Sequence, residues 1–117
     1  AETSEVVMKT WEAQKVAEKG RTSALDGVPL AQPALILANK LAYRVDKFGY
    51  GLSVEQPVKI ADSTTQDRLG EILFGIIEQA QRQGLDAEAA LRGAVTKYIR
   101  MIEEYERNEK ESASGTH

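Results

Sequence analysis

The sequence predicts an all-α protein, and two patterns carry the prediction. Apolar residues recur at helical spacing in four stretches, and no run alternates apolar with polar residues over the length of a strand. Punctuation agrees: Gly20, Gly49 and Gly84 each follow a periodic stretch, where a glycine supplies the left-handed turn that ends a helix. With 117 residues, 42% of them hydrophobic, the chain is long enough for one core and too short for two.

The first stretch, residues 4–19, is charged and has Val7, Trp11 and Ala17 as its main apolar side chains, so residues 1–20 are expected to form a connecting or docking helix. The loop GRTSALDGVPLAQ leads to Pro33, whose missing N–H suits the first position of a helix. A second helix is expected over 33–48, with Ala34, Ala38, Leu41, Val45 and Phe48 spaced by four and three. Leu35, Ile36, Leu37 and Ala42 widen its apolar surface, which predicts burial between layers. Residues 49–63 contain Gly49, Gly51 and Pro57 and should form a loop.

Ser63, Thr64 or Thr65 can cap a third helix that continues to Gly84, and Asp86 can cap a fourth that reaches about Arg107. The link between them is so short that the two must fold back as an antiparallel hairpin. The closing NEKESASGTH has no apolar anchor, so 109–117 is expected as a disordered tail behind a helical domain spanning 21–108.

Fifteen basic and eighteen acidic residues give a net charge of -3. A nucleic-acid binder wants a net basic surface, so no nucleic-acid partner is expected. The longest apolar runs are four or five residues, far short of the roughly 20 that span a bilayer, and no signal-peptide pattern opens the chain. No membrane partner is expected, and the expected location is cytoplasmic. The chain has no cysteine and a single histidine, His117, which excludes disulfides, thiolate-bound zinc and imidazole-based triads. Its first residue is Ala1 rather than methionine, which points to a processed chain or a segment of a longer one.

At ~100° per residue, Leu69, Ile72, Leu73, Ile76, Ile77 and Ala80 share one side of the third helix, with Asp67, Glu71 and Glu78 opposite. Phe74 projects among those carboxylates and hints at a partner surface. On the fourth helix Leu91, Ala94, Val95, Tyr98, Ile102 and Tyr105 form the inner stripe, leaving Lys97 and Arg100 outside. Lys40, Arg44 and Lys47 make a comparable basic face on the second helix. Such bases either grip a phosphate or keep the helices soluble.

The segment WEAQKVAEKGRTSALDGVPLAQPALILANKLAYRVDKFGY resembles the part of MazG-type nucleoside triphosphate pyrophosphohydrolases with a Trp-Glu helix, a Ser-(x)-Leu-Asp loop and a Pro-Ala-Leu helix. RLGEILFGIIEQAQRQGLDAEAALRGAVTKYIRMIEEYER resembles the two helices that follow. The likeness runs from about Trp11 to Arg107 and is greatest to the second, C-terminal half of tandem members. It implies an all-α NTP pyrophosphohydrolase-type bundle of about four helices, a homodimer, and a nucleotide-pool housekeeping reaction. In that reaction a nucleoside triphosphate is cut to a monophosphate and pyrophosphate with Mg²⁺ held by Glu-Glu-x-x-Glu on one helix and Glu-x-x-Asp on the next.

This chain departs from that pattern where the metal should sit. Its only adjacent glutamates are Glu103 and Glu104, followed by Arg107 where the third should stand, and the acidic helix itself is missing between Gly49 and Gln66. In the second motif Arg68 takes the glutamate position and Glu71 the aspartate position. Glu71, with Asp67 four residues before it, is the candidate metal pair; Lys97, Arg100 and Lys40 are the candidate phosphate ligands. Gly51 and Leu52 stand where the family often has Asp-Trp, Val95 where it has Asn, and Met101 where it has Arg, so much of the nucleotide pocket is rewritten as apolar. Two readings result. One is a degenerate domain that serves helical dimerisation, with itself or with the catalytic half of the same protein. The other is an active Mg²⁺-dependent pyrophosphohydrolase using Asp67, Glu71 and Glu78, with carboxylates lent by a partner chain.

Overall fold

A computed structural model describes residues 23–115, with side chains to residue 112. The expected helix over 4–19, Trp11 and the docking role given to residues 1–20 lie outside the described residues. Three helices and no strand occur among the described residues: α1 (Ala34–Lys47), α2 (Gln66–Arg82) and α3 (Ala87–Gly115), which correspond to the second, third and fourth predicted helices. No helix among them is long and apolar enough to cross a membrane.

Local chemistry sets the helix ends. Gly49 at φ 70 and Gly84 at φ 73 take the left-handed turn that other residues resist. In each case the next amide reaches back over the turn, Tyr50 N–H to Val45 O at 3.1 Å and Leu85 N–H to Ala80 O at 2.8 Å. Thr65 Oγ1 accepts from Arg68 N–H at 3.1 Å to start α2, and Asp86 Oδ1 accepts from Ala89 N–H at 3.0 Å to start α3. Pro33 lies one residue before α1 rather than inside it, because its ψ of 142° is extended. The first free amide of α1, Ala34 N–H, is satisfied from another helix by Glu88 Oε2 at 2.8 Å. The last helix runs on to Gly115 rather than stopping near Arg107, through residues that contain no proline to break it.

The core is the seam between α1 and α3. Leu37, Leu41 and Val45 pack against Val95 and Ile102, with Ala24 and Val28 closing one end from the 23–28 loop. The α2 helix differs. Among the described helices it touches only α3, lightly, does not pack on α1, and has no residue classed as buried. Leu69, Ile72 and Ala80 are half-buried, but Leu73, Ile76 and Ile77, expected inside, are 40–50% exposed, and Phe74 is 64% exposed. The expected burial of α1 between layers fails in the same way, with Leu35 and Ile36 more than half exposed. Periodicity states which side of a helix wants cover, and among the described residues no further layer provides it.

Candidate functional site

The sequence-predicted site residues remain on the surface. Asp67 and Glu71 both sit on α2, where Glu71 Oε1 is taken by Arg68 Nη1 at 3.2 Å, with both side chains about two-thirds exposed. Among the described residues no three acidic, histidine or cysteine side chains gather closely enough to hold a metal ion. Lys40, Lys97 and Arg100 are exposed on α1 and α3. The basic face of α1 is not uniform. Lys47 Nζ lies 5.5 Å from the Tyr43 ring, whereas Arg44 turns inward and donates to Ala24 O at 2.9 Å and Asp26 O at 2.7 Å.

Beside the core seam lies an open groove of about 520 Å³, walled by Ala42 and Val45 of α1, Leu91 and Tyr98 of α3, and Leu52 and Val54 of the connecting loop. Asp46 is the one charged residue that lines it. Neither Asp67 and Glu71 nor Lys40, Lys97 and Arg100 line this groove, so the structure does not bring the predicted metal and phosphate residues together there. It does bring together three of the departures seen in the sequence: Gly51, Leu52 and Val95 all face the groove. Its chemistry is that of an apolar seat, without the cations or clustered carboxylates a triphosphate and its metal require.

A second cluster was not visible in the sequence. Glu106, near the far end of α3, accepts from Ser23 Oγ at 2.9 Å, from Ala24 N–H at 2.9 Å and from the Tyr50 hydroxyl. With Arg44 on the opposite side, this carboxylate latches the 23–28 loop to the bundle, while Tyr50 stacks on Tyr105 with ring centroids 4.3 Å apart. Ser23 and Glu106 are 83 positions apart, so no spacing could have paired them. The only sequence signal was the Ser-Ala-Leu-Asp stretch itself.

Burial, and then the Glu106 carboxylate that accepts its hydrogen bond, hold Tyr50 well above the ordinary tyrosine pKa of 10.0. A phenol whose folded pKa is raised stabilises the fold fully below the unfolded pKa, and that contribution is lost as pH rises above about 10. Tyr50→Phe should therefore lose about 1 kcal/mol at neutral pH, for one hydrogen bond, yet decline less steeply above pH 10 than the unmodified chain. Urea midpoints measured from pH 8 to about pH 11 check this; parallel decline of the two proteins contradicts it.

Fold and site together define a small all-helical domain with carboxylates spread on one helix, an apolar groove between the other two, and no metal centre assembled among the described residues. The chain is similar to the nucleoside triphosphate pyrophosphohydrolases of two Escherichia coli strains, K12 and O157:H7, 30% identical over 128 aligned positions that cover 92% of this chain and 49% of each relative. An uncharacterized 26.1 kDa protein of Streptomyces cacaoi is 40% identical over 99 positions, covering 84% of this chain and 38% of that protein. The chain thus spans about half the length of the E. coli relatives, and less of the Streptomyces one. No family model and no solved structure matches it.

The extents of the two alignments differ informatively. Since 92% of 117 residues is about 108, about 20 of the 128 positions aligned to the E. coli proteins face no residue here. The Streptomyces alignment needs 99 positions for 84%, about 98 residues, so it contains no such gap. An alignment that long must cross residues 49–65, so the Streptomyces protein has a connection as short as this one.

Proposed function

We propose that this chain is a MazG-type nucleoside triphosphate pyrophosphohydrolase homologue whose own metal site is incomplete and whose work is assembly. It is a helical module that associates with a second copy or with the catalytic half of the same protein. The observation that carries this reading is α2: a well-capped amphipathic helix with no buried residue among the described ones. An amphipathic helix whose apolar residues stay exposed, as Leu73, Phe74, Ile76 and Ile77 do, is suited to an interface.

The positions absent relative to the E. coli proteins fit the loss of the acidic helix that would face α2. Magnesium could draw on Asp67 and Glu71 only from the solvent side of one helix, and Glu71 already faces Arg68. Too little negative charge converges there to seat a metal with a triphosphate, so the residues present do not fit Mg²⁺ as this chain's own cofactor.

Calorimetric titration with Mg²⁺ and a nucleoside triphosphate, joined to a pyrophosphate assay and a solution mass, tests the reading. The chain is expected to show no saturable metal-dependent binding below about 1 mM, no pyrophosphate release, and a mass of two copies. Pyrophosphate release by the chain alone, abolished in Glu71→Ala, would overturn it in favour of hydrolysis.

A further inference from the structure

The groove between α1, α3 and the connecting loop sets one carboxylate beside apolar walls. Its volume of about 520 Å³ falls within the range of about 300–1,000 Å³ typical of sites for small molecules. Leu52, Val54, Leu91 and Val95 supply the apolar surface, and among the described residues Asp46 is the one charged side chain that lines it.

The helix that carries Asp46 does not neutralise it. Arg44, two residues earlier, turns inward to donate to Ala24 O and Asp26 O, and Lys47 Nζ lies 5.5 Å from the Tyr43 ring. Among the described residues the Asp46 side chain makes no hydrogen bond or ion pair. Water serves an exposed carboxylate well enough on an ordinary surface. Beside an apolar wall, the same carboxylate selects the charge of whatever the wall holds.

We propose that the groove binds a small organic monocation, a protonated primary amine on an aromatic or aliphatic body. The body lies against Leu52, Val54, Leu91 and Val95, and the ammonium meets the Asp46 carboxylate. This site goes beyond the assembly reading and does not depend on it.

The charge of the ligand follows from the lining. A polyamine would hold further ammonium groups against apolar walls, at a cost in lost hydration. A divalent metal wants several oxygen ligands, and no three acidic, histidine or cysteine side chains gather among the described residues. A triphosphate would meet Asp46 as a like charge and would find no cation among the lining residues described. Ser53 and Gln56, which also line the groove, offer uncharged oxygens as further acceptors for an ammonium.

Three probes with one body and different heads test this: phenylbutylamine, phenylbutanol and phenylbutyrate, each titrated into the whole chain near pH 7 while amide shifts are followed. Shifts should centre on Leu52, Val54 and Ala94, and affinity should fall in the order amine, alcohol, carboxylate. The amine should lead the alcohol by about fivefold, the upper end for an exposed ion pair, and the lead should shrink in about 1 M salt. Asp46→Asn should abolish that lead, and Asp46→Lys should reverse the order so that phenylbutyrate binds best. Asp46 is exposed in the last turn of α1, where a lysine suits the helix dipole, so both variants keep the fold.

The same order of affinity in all three proteins would reduce the site to apolar adhesion and overturn the proposal. Shifts centred on Leu73, Phe74 and Ile77 of α2 would overturn it too. So would the absence of groove shifts with the amine at about 10 mM, the result expected if residues 1–22 or a second copy already fill the groove. Solution mass, read on the same sample, tests the assembly reading separately.

Discussion

Replacing Glu106 by alanine is expected to destabilise the chain by about 3 kcal/mol, because one truncation strips the acceptor from three donors at once. Ser23 Oγ and the Tyr50 hydroxyl can turn toward water, but Ala24 N–H cannot, since Ala24 is 0% exposed. That orphaned amide is the larger part of the cost. Glu106→Gln keeps an acceptor oxygen while presenting an N–H₂ to one of the donors, and should cost about half as much. Urea midpoints at one protein concentration give both values. Amide exchange separates this account from a general loss of helix: the Ala24 amide should lose protection in Glu106→Ala while amides in the middle of α1 lose it only in proportion to global stability. Equal loss at both places would mean that Glu106 supports the bundle generally rather than the 23–28 loop.

That latch also marks the boundary of what can be read from the sequence. Helix ends were legible because caps are local: Thr65, Asp86, Gly49 and Gly84 act within a few residues of themselves, and each does what its chemistry predicts. The α1 stripe of Ala34, Leu41 and Val45 was legible for the same reason, since helical period alone selects it. Two things were not. Ser23 with Glu106 is a contact across 83 positions, invisible to any periodic pattern. Cover for α2 depends on whether another element exists opposite it, and an amphipathic pattern is identical whether its partner lies in the same chain or in another. For the candidate site, Gly51, Leu52 and Val95 could be recognised one by one as departures from a resembled pattern, but only the fold puts them in one groove. Glu71 is picked out by its place in the resembled motif, Asp67 by its spacing four residues earlier, and Lys40, Lys97 and Arg100 by their helix faces; the fold leaves all five on exposed faces of three different helices.

Leu41→Ala should have the largest effect of any single truncation, about 3–4 kcal/mol. Leu41 is 0% exposed at the middle of α1, on the seam with α3, and the described core has only eight buried apolar residues, three of them the large Leu37, Leu41 and Ile102. So small a core has few ways to collapse around a lost isobutyl group, which places the cost toward the upper part of the range for such changes. Leu35→Ala, the same chemical change six residues earlier on the exposed side of α1, should cost under about 1 kcal/mol in the monomer, because Leu35 is already 56% exposed. A domain of this length is stable by about 5–15 kcal/mol, and one with so thin a core belongs near the bottom of that range, so Leu41→Ala should bring the isolated chain close to half unfolded. Assembly changes the outcome in a measurable way. If folding and association are linked, the urea midpoint of Leu41→Ala must rise with protein concentration, since mass action stabilises whatever binds only the folded form. A midpoint that stays fixed over a hundredfold range of concentration, about 1 to 100 µM, would instead mean that the α1–α3 seam folds on its own and that the exposed side of α2 adds nothing to it.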